Sequence, residues 1–434
     1  MNEPFAGRLI ALLKYLVRWV LLTVPVSAAI GSMVALFLWL LSAAIHFRFQ
    51  HPWLLYLLPL AGIVIHLAYK LYGSSSERGN NLIIDEIHQP GAGVPKRLGP
   101  LILVTTVITH LFGGSAGREG TAVQIGGSLA NLFAGWFKLD QKSVQTLLTA
   151  GIAAGFGAVF GTPFTGAIFA IEVLNSKKTS YADIWPCLIA GLVGDYTVYL
   201  WRIKHTAYHI DAFATDGPAF WVMILLKVVL VSVLFGLASW LFANMAHGIK
   251  KLFLKMFSIT WLIPVCGGLM IIGLTWLLGK PDYLSLGVEP EYPGAVTIVS
   301  AFHTGGADVL SWFWKIIYTT ITLGTGFKGG EVTPLFYIGA TLGNTLATFL
   351  NAPVGLFAAL GFIGVFSGAT NTPVACTIMG AELFGSQYVL FFAVACFVAY
   401  LFNGNSGIYS AQFRDKQAVG IKSYLVDKIS KYKF

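Results

Sequence analysis

From Leu16 to Ile45 the chain is apolar with Arg18 as its single charge, and Phe220 to Met245 and Trp261 to Leu278 repeat the pattern. Runs of this kind meet the ~20 residues that a helix needs to cross the hydrocarbon of a bilayer. With 56% hydrophobic and 11% charged residues and a mean hydropathy of +0.73, the chain carries more apolar surface than a water-soluble core can hide. Arg8, Lys14 and Arg18 surround the first run and no small-residue cleavage site follows, so it reads as a retained span and not a removed leader.

The net charge of +9 comes largely from ends and loops: Arg8, Lys14 and Arg18, then Lys177 and Lys178, then Lys422, Lys428, Lys431 and Lys433. Basic flanks stay on the cytoplasmic side, which predicts both termini inside and an even number of crossings. Topology and attraction to anionic lipid account for this charge, and no nucleic-acid partner is expected. Cys187, Cys266, Cys376 and Cys396 stand alone in apolar runs without metal-ligand spacing, so they read as packing residues and no metal is expected.

Other apolar runs, Leu101 to Phe112, Leu147 to Ala158 and Val354 to Phe366, are shorter than a span and interrupted by glycines, and predict broken helices. Irregular backbone at membrane depth persists only where it is buried in protein or lines a cavity. The chain also repeats itself. GREGTAVQIGGSLAN, Gly117 to Asn131, lies over GGEVTPLFYIGATLGN, Gly329 to Asn344, and VFGTPFTGAIFAIE, ending at Glu172, over ATNTPVACTIMGAE, ending at Glu382. Paired halves with interrupted helices are the sequence signature of transporters that bind their substrate between the repeats. The sequence alone leaves parallel or inverted repeats open.

Between Leu98 and Phe137 the formal charges are Arg118 and Glu119, and between Ile316 and Phe413 they are Lys328, Glu331 and Glu382. Intramembrane charges this sparse are functional candidates. Glu119 stands where a glycine-rich loop enters a helix, and the mirror segment GFKGGEVTP adds Glu331 and Thr333 at the other helix start. Unpaired N–H groups and the helix dipole favour an anion at such ends. Glu119 either stabilises its own helix start with Arg118 as neutralising partner, or competes with a permeating anion and leaves when protonated. Glu331 repels an anion unless it is protonated, hydrogen-bonded or paired with Lys328, and a structural or coupling role is expected for it. Glu172 and Glu382 fit packing or helix-end roles better than proton relays. No hydrolase, Walker or Rossmann pattern stands in a suitable context, which leaves an enzyme or a non-transporting subunit as distant readings.

The segments GREGT and VQIGG, FGTPFTGAIFAIE, and GIYSAQ at Gly407 to Gln412 resemble the CLC family of chloride channels and chloride/proton antiporters, from about Gly79 to Gln412. The resemblance implies an all-α integral membrane fold, an inverted-repeat bundle of tilted and broken helices, in a homodimer with one pathway per subunit. It also implies a gating glutamate at Glu119 and a pore tyrosine at Tyr409. The approximate halves are 50–205 and 215–412 of a single transmembrane domain, followed by a basic cytoplasmic tail at 413–434.

Three departures are informative. Asn80 stands where chloride-selective members keep an anion-binding serine, GGEVTP replaces the usual GxFxP, and Val173 occupies the place of the inner proton-transfer glutamate. GNNLIIDEI with GFKGGEVTPLF resembles the fluoride/proton antiporter branch. That branch implies a Glu119 that swings across the site carrying the proton, past Asn80 and Thr333, with Tyr409 at the inner end. Gly117, Gly120 and Val332 are the expected backbone contacts, and Lys328, Glu331 and Arg118 the supporting charges. The expectation is therefore a cofactor-free fluoride exporter in a bacterial inner membrane, driven by protons. A chloride/proton antiporter or a passive chloride/fluoride channel is the alternative.

Overall fold

The computed structural model describes residues 5–174, 183–213, 217–404 and 406–412; Lys177, Lys178 and the basic tail at 413–434 lie outside the described residues. In chain order the helices are α1 (Phe5–Gln50), α2 (Leu58–Tyr72), α3 (Asn80–His88), α4 (Leu98–Leu111), α5 (Glu119–Trp136), α6 (Gln141–Phe160), α7 (Pro163–Glu172) and α8 (Ile184–Leu200). They continue with α9 (Gly217–Met256), α10 (Leu262–Leu278), α11 (Ser311–Gly324), α12 (Val332–Leu350), α13 (Val354–Thr370), α14 (Pro373–Phe384) and α15 (Val389–Phe402). Among the described residues, four stretches are helical and apolar over enough length to cross a bilayer: Leu12–Gln50, Pro52–Tyr72, Gln141–Phe160 and Gly217–Met256.

The run Leu147 to Ala158 corrects one expectation, because it belongs to a continuous 20-residue helix, α6. Asp140 caps that helix by accepting the Ser143 N–H at 3.4 Å, which recruits a polar first turn that apolarity alone does not reveal. Gly161, at φ +73°, ends it in the left-handed conformation that glycine adopts without strain. α4 and α13, in contrast, have 14 and 17 residues, short of a span.

α5, α6, α12 and α13 form the centre, and their small residues explain how they fit. A Cβ on Gly126 would meet the Gly151 carbonyl oxygen at 2.1 Å, and one on Gly339 would meet that of Gly361 at 2.0 Å. α5 therefore crosses α6, and α12 crosses α13, with backbones in contact. Gly126 and Gly339 are the matched glycines of the repeat. The matched asparagines also agree: Asn131 Nδ2 donates to the Val94 carbonyl, and Asn344 Nδ2 to those of Ala301 and His303. Each holds the segment that leads into its half's preceding helix.

α7 and α14 decide how the halves are related. Neither helix caps its own start with a side chain. Glu172, at the end of α7, instead accepts the N–H groups of Val374 and Ala375 at 3.0 and 2.7 Å. Glu382, near the end of α14, accepts those of Phe164 and Thr165 at 3.1 and 2.8 Å, and the Thr165 hydroxyl. The two helices run antiparallel and exchange caps, the arrangement of inverted repeats. Both glutamates thus have helix-end roles.

Candidate functional site

The two glycine-rich loops meet. Gly117 donates to the Gly330 carbonyl at 2.6 Å and accepts from the Gly330 N–H at 2.7 Å, forming an isolated antiparallel bridge. Gly117 and Gly330 are equivalent in the repeat, at the spacing that also relates Ile125 to Ile338. A reciprocal bridge between equivalent residues lies on the pseudo-twofold axis, so the starts of α5 and α12 converge at the centre of the protein.

Glu119 opens α5 and is 1% exposed. Its carboxylate reaches across the axis to the first turn of α12. There it accepts the Thr333 N–H at 2.9 Å, and the Thr333 hydroxyl lies 2.6 Å from both carboxylate oxygens. The Arg118 N–H also reaches it at 3.2 Å, and Arg118 Nε lies 3.6 Å away. A charged acceptor at a helix start draws on both the free N–H groups and the dipole. The carboxylate therefore holds donors that a small anion in the same place would need.

Two cavities adjoin this knot. Arg118 lines one of about 50 Å³, shared with Arg48, Asp282, Ser285 and Glu291. Asn80, Gln124, Lys328, Glu331 and Tyr409 line the other, of about 160 Å³. Gly120 joins the second cavity to Glu119, since a Cβ there would lie 3.0 Å from Asn80 Nδ2 and 3.1 Å from the Gly330 Cα. Asn80 Oδ1 and Gln124 Oε1 are buried without a hydrogen-bond partner. Tyr409 is buried, and its segment is held by the Ala411 N–H donating to Asn81 Oδ1 at 2.8 Å.

The expected site residues thus divide. Glu119 touches both Thr333 and Arg118, while Asn80, Tyr409, Glu331 and Lys328 line the second cavity. Val332 is the first residue of α12 and buried, next to Thr333. Gly117 departs from expectation, because its N–H is spent on the bridge and is not a donor for an anion. Of the three options left open for Glu331, pairing with Lys328 is not the one observed: the Lys328 ammonium lies 4.1 Å from the centre of the Tyr69 ring. Val173 is buried at the end of α7 and puts no carboxylate there.

Gln124 and Asn81 escaped the sequence reading as site residues, although both stand inside the quoted segments VQIGG and GNNLIIDEI. Lys315 escapes it too, because it stands just outside the charge-poor run that starts at Ile316. It is fully buried, and its ammonium donates to the carbonyls of Tyr283 and Ser285 at 3.1 and 2.8 Å.

A family model described as voltage gated chloride channel matches residues 61–404. The chain is a CLC protein. It is 44% identical over 403 residues to the chloride/fluoride channel protein of Pseudomonas syringae pv. tomato, spanning 92% of this chain and 87% of the relative. To the H(+)/Cl(-) exchange transporter ClcA of Yersinia pestis it is 26% identical, spanning 68% and 63%. Its structure matches the crystal structure of a CLC-type fluoride/proton antiporter with a TM-score of 0.84 at 34% identity, covering 92% of this chain and 98% of the other. A slow cyanobacterial Cl-/H+ antiporter shares the fold, with a TM-score of 0.77 at 18% identity and coverage of 96% and 99%. The fold is thus the inverted-repeat membrane fold that the sequence led us to expect, and the family is one of transporters, not enzymes.

Proposed function

We propose that this CLC protein exports fluoride in exchange for protons, with Glu119 as gate and proton carrier. The observation that carries the reading is the seat of the Glu119 carboxylate on the N–H and hydroxyl of Thr333. Ionised, the carboxylate fills donors at the start of α12; protonated, it draws less from them, and an anion takes its place. Fluoride is small and strongly hydrated, and entering a dry site requires short hydrogen bonds to replace its water. Thr333, Asn80 and Tyr409 supply N–H and O–H groups for that purpose, with the backbone at Gly120 and Val332. Gly117 shapes the site through its bridge.

Val173 leaves no carboxylate at the usual inner proton-transfer place, and Glu172 beside it is engaged with α14. In this reading the proton therefore travels on Glu119 itself, which swings past Asn80 toward Tyr409. Glu331 lines the cavity it enters and couples to that movement. Both loops of the site come from one chain, so each subunit of the homodimer holds a complete pathway. The membrane is a bacterial inner membrane with both termini cytoplasmic, and 413–434 is a basic cytoplasmic tail.

Chloride/proton exchange or passive anion flow is the second reading, favoured by the names of the Pseudomonas and Yersinia relatives. Proteoliposomes loaded with fluoride or chloride, read with anion electrodes while external pH is recorded, separate the two. Fluoride flux far above chloride flux, with protons moving the opposite way, is the expected result. Equal chloride flux or a flat pH trace would overturn it.

A further inference from the structure

Away from the pathway, an apolar groove of about 770 Å³ opens on the surface between the first turns of α1 and the end of α5. Leu13, Val17, Leu21 and Leu22 form one wall and Phe137 and Leu139 the other, while Lys14 and Arg18 stand among them. Arg18 spends one nitrogen, Nη2, on Ser143 at 2.8 Å and on Asp140 at 3.5 Å, which anchors its guanidinium to the start of α6. Lys138 and Lys142 are exposed on the adjoining turn, and Trp136 is 65% exposed beside them.

That turn, with its tryptophan and its lysines, marks the boundary between hydrocarbon and water. From Lys14 to Leu22 the groove then runs along α1 for roughly 12 Å into the apolar layer. One end is cationic and the remainder is apolar.

We propose that this groove is a binding site for an anionic phospholipid, with its phosphate against Lys14 and Arg18 and one acyl chain lying between α1 and Phe137. Charge selects this occupant over the chain's own tail at 413–434, since Lys422, Lys428, Lys431 and Lys433 would be repelled by the same cations. It also selects an anionic headgroup over a zwitterionic one.

The test is native mass spectrometry of the full chain released from mild detergent after equilibration with phosphatidylglycerol or phosphatidylcholine. The wild type should retain phosphatidylglycerol in preference. Lys14→Gln with Arg18→Gln should weaken that retention roughly twentyfold to thirtyfold, while phosphatidylcholine stays unchanged. Val17→Trp, which fills the groove and leaves the charge intact, should also remove the tight adduct. Lys251→Gln with Lys255→Gln, at the far end of α9, should change nothing.

Equal retention of the two lipids by the wild type would overturn the proposal. So would a charge effect with no effect of Val17→Trp, which would mean a basic rim without a seat for the chain. Loss of the adduct from the α9 variant would mean attraction to overall charge and overturn it as well. None of these outcomes touches fluoride or proton flux.

Discussion

Thr333, in the second half of the chain, donates both its N–H and its hydroxyl to the carboxylate of Glu119 in the first, at 2.9 and 2.6 Å. One side chain thus bridges the two repeats at the point where their helix starts converge. It does so with the groups that an anion would use.

Glu119→Gln keeps the shape of the side chain and removes its ability to lose a proton. The expected outcome is loss of proton coupling, measured as fluoride efflux from proteoliposomes that no longer moves external pH. Coupled transport that survives intact would defeat the mechanism.

Thr333→Val removes the hydroxyl and keeps the backbone N–H and the volume. A hydrogen bond to a charged partner contributes about 1.5–3 kcal/mol, so fluoride affinity should fall roughly tenfold to 150-fold, and the bond lost to the Glu119 carboxylate should lower stability without preventing folding. Isothermal titration with fluoride, alongside size-exclusion behaviour in detergent, reads the two effects separately. Thr333→Ser should restore most of the affinity.

Glu172→Gln and Glu382→Gln test the exchanged caps of α7 and α14. Each replaces a charged acceptor at a helix start, at a cost of about 1–2 kcal/mol. Glu382→Gln should cost more, because Glu382 also accepts the Thr165 hydroxyl. A lower thermal midpoint with the ratio of fluoride to proton movement unchanged is the expected pair of results. A changed ratio would instead make the carboxylate a proton relay.

Gly339→Ala sets a Cβ 2.0 Å from the Gly361 carbonyl oxygen. Overpacking of this kind costs about 1–3 kcal/mol or more. The variant should lose its monodisperse peak in detergent, whereas Gly248→Ala, with open space around its Cβ, should keep it.

The repeat, the glycine loops and Glu119 were legible in the sequence, because matched segments and rare charges in apolar surroundings are visible without coordinates. Adjacency across the repeat was not. Matching Glu172 to Glu382 shows that they are equivalent, but only the antiparallel seating of α7 on α14 shows that each caps the other's helix. The same holds for Gly117, whose amide was expected to face an anion and faces Gly330. Hydropathy shows only Leu147 to Ala158 of α6, because the cap at Asp140 extends the helix through polar residues. Gln124 is not legible as a site residue, because one amide within an apolar helix carries no sign of what it faces.

The bridge between Gly117 and Gly330 also bears on which part of the machine moves. Two halves stitched backbone to backbone at their shared axis, and tied again where α7 meets α14, have little freedom to rock against each other. Tilting one half on the other would break main-chain bonds at the site itself. On the proposed mechanism the moving part is the side chain of Glu119, a turnstile arm in a fixed frame, and covalent fastening of the two halves should leave turnover largely intact.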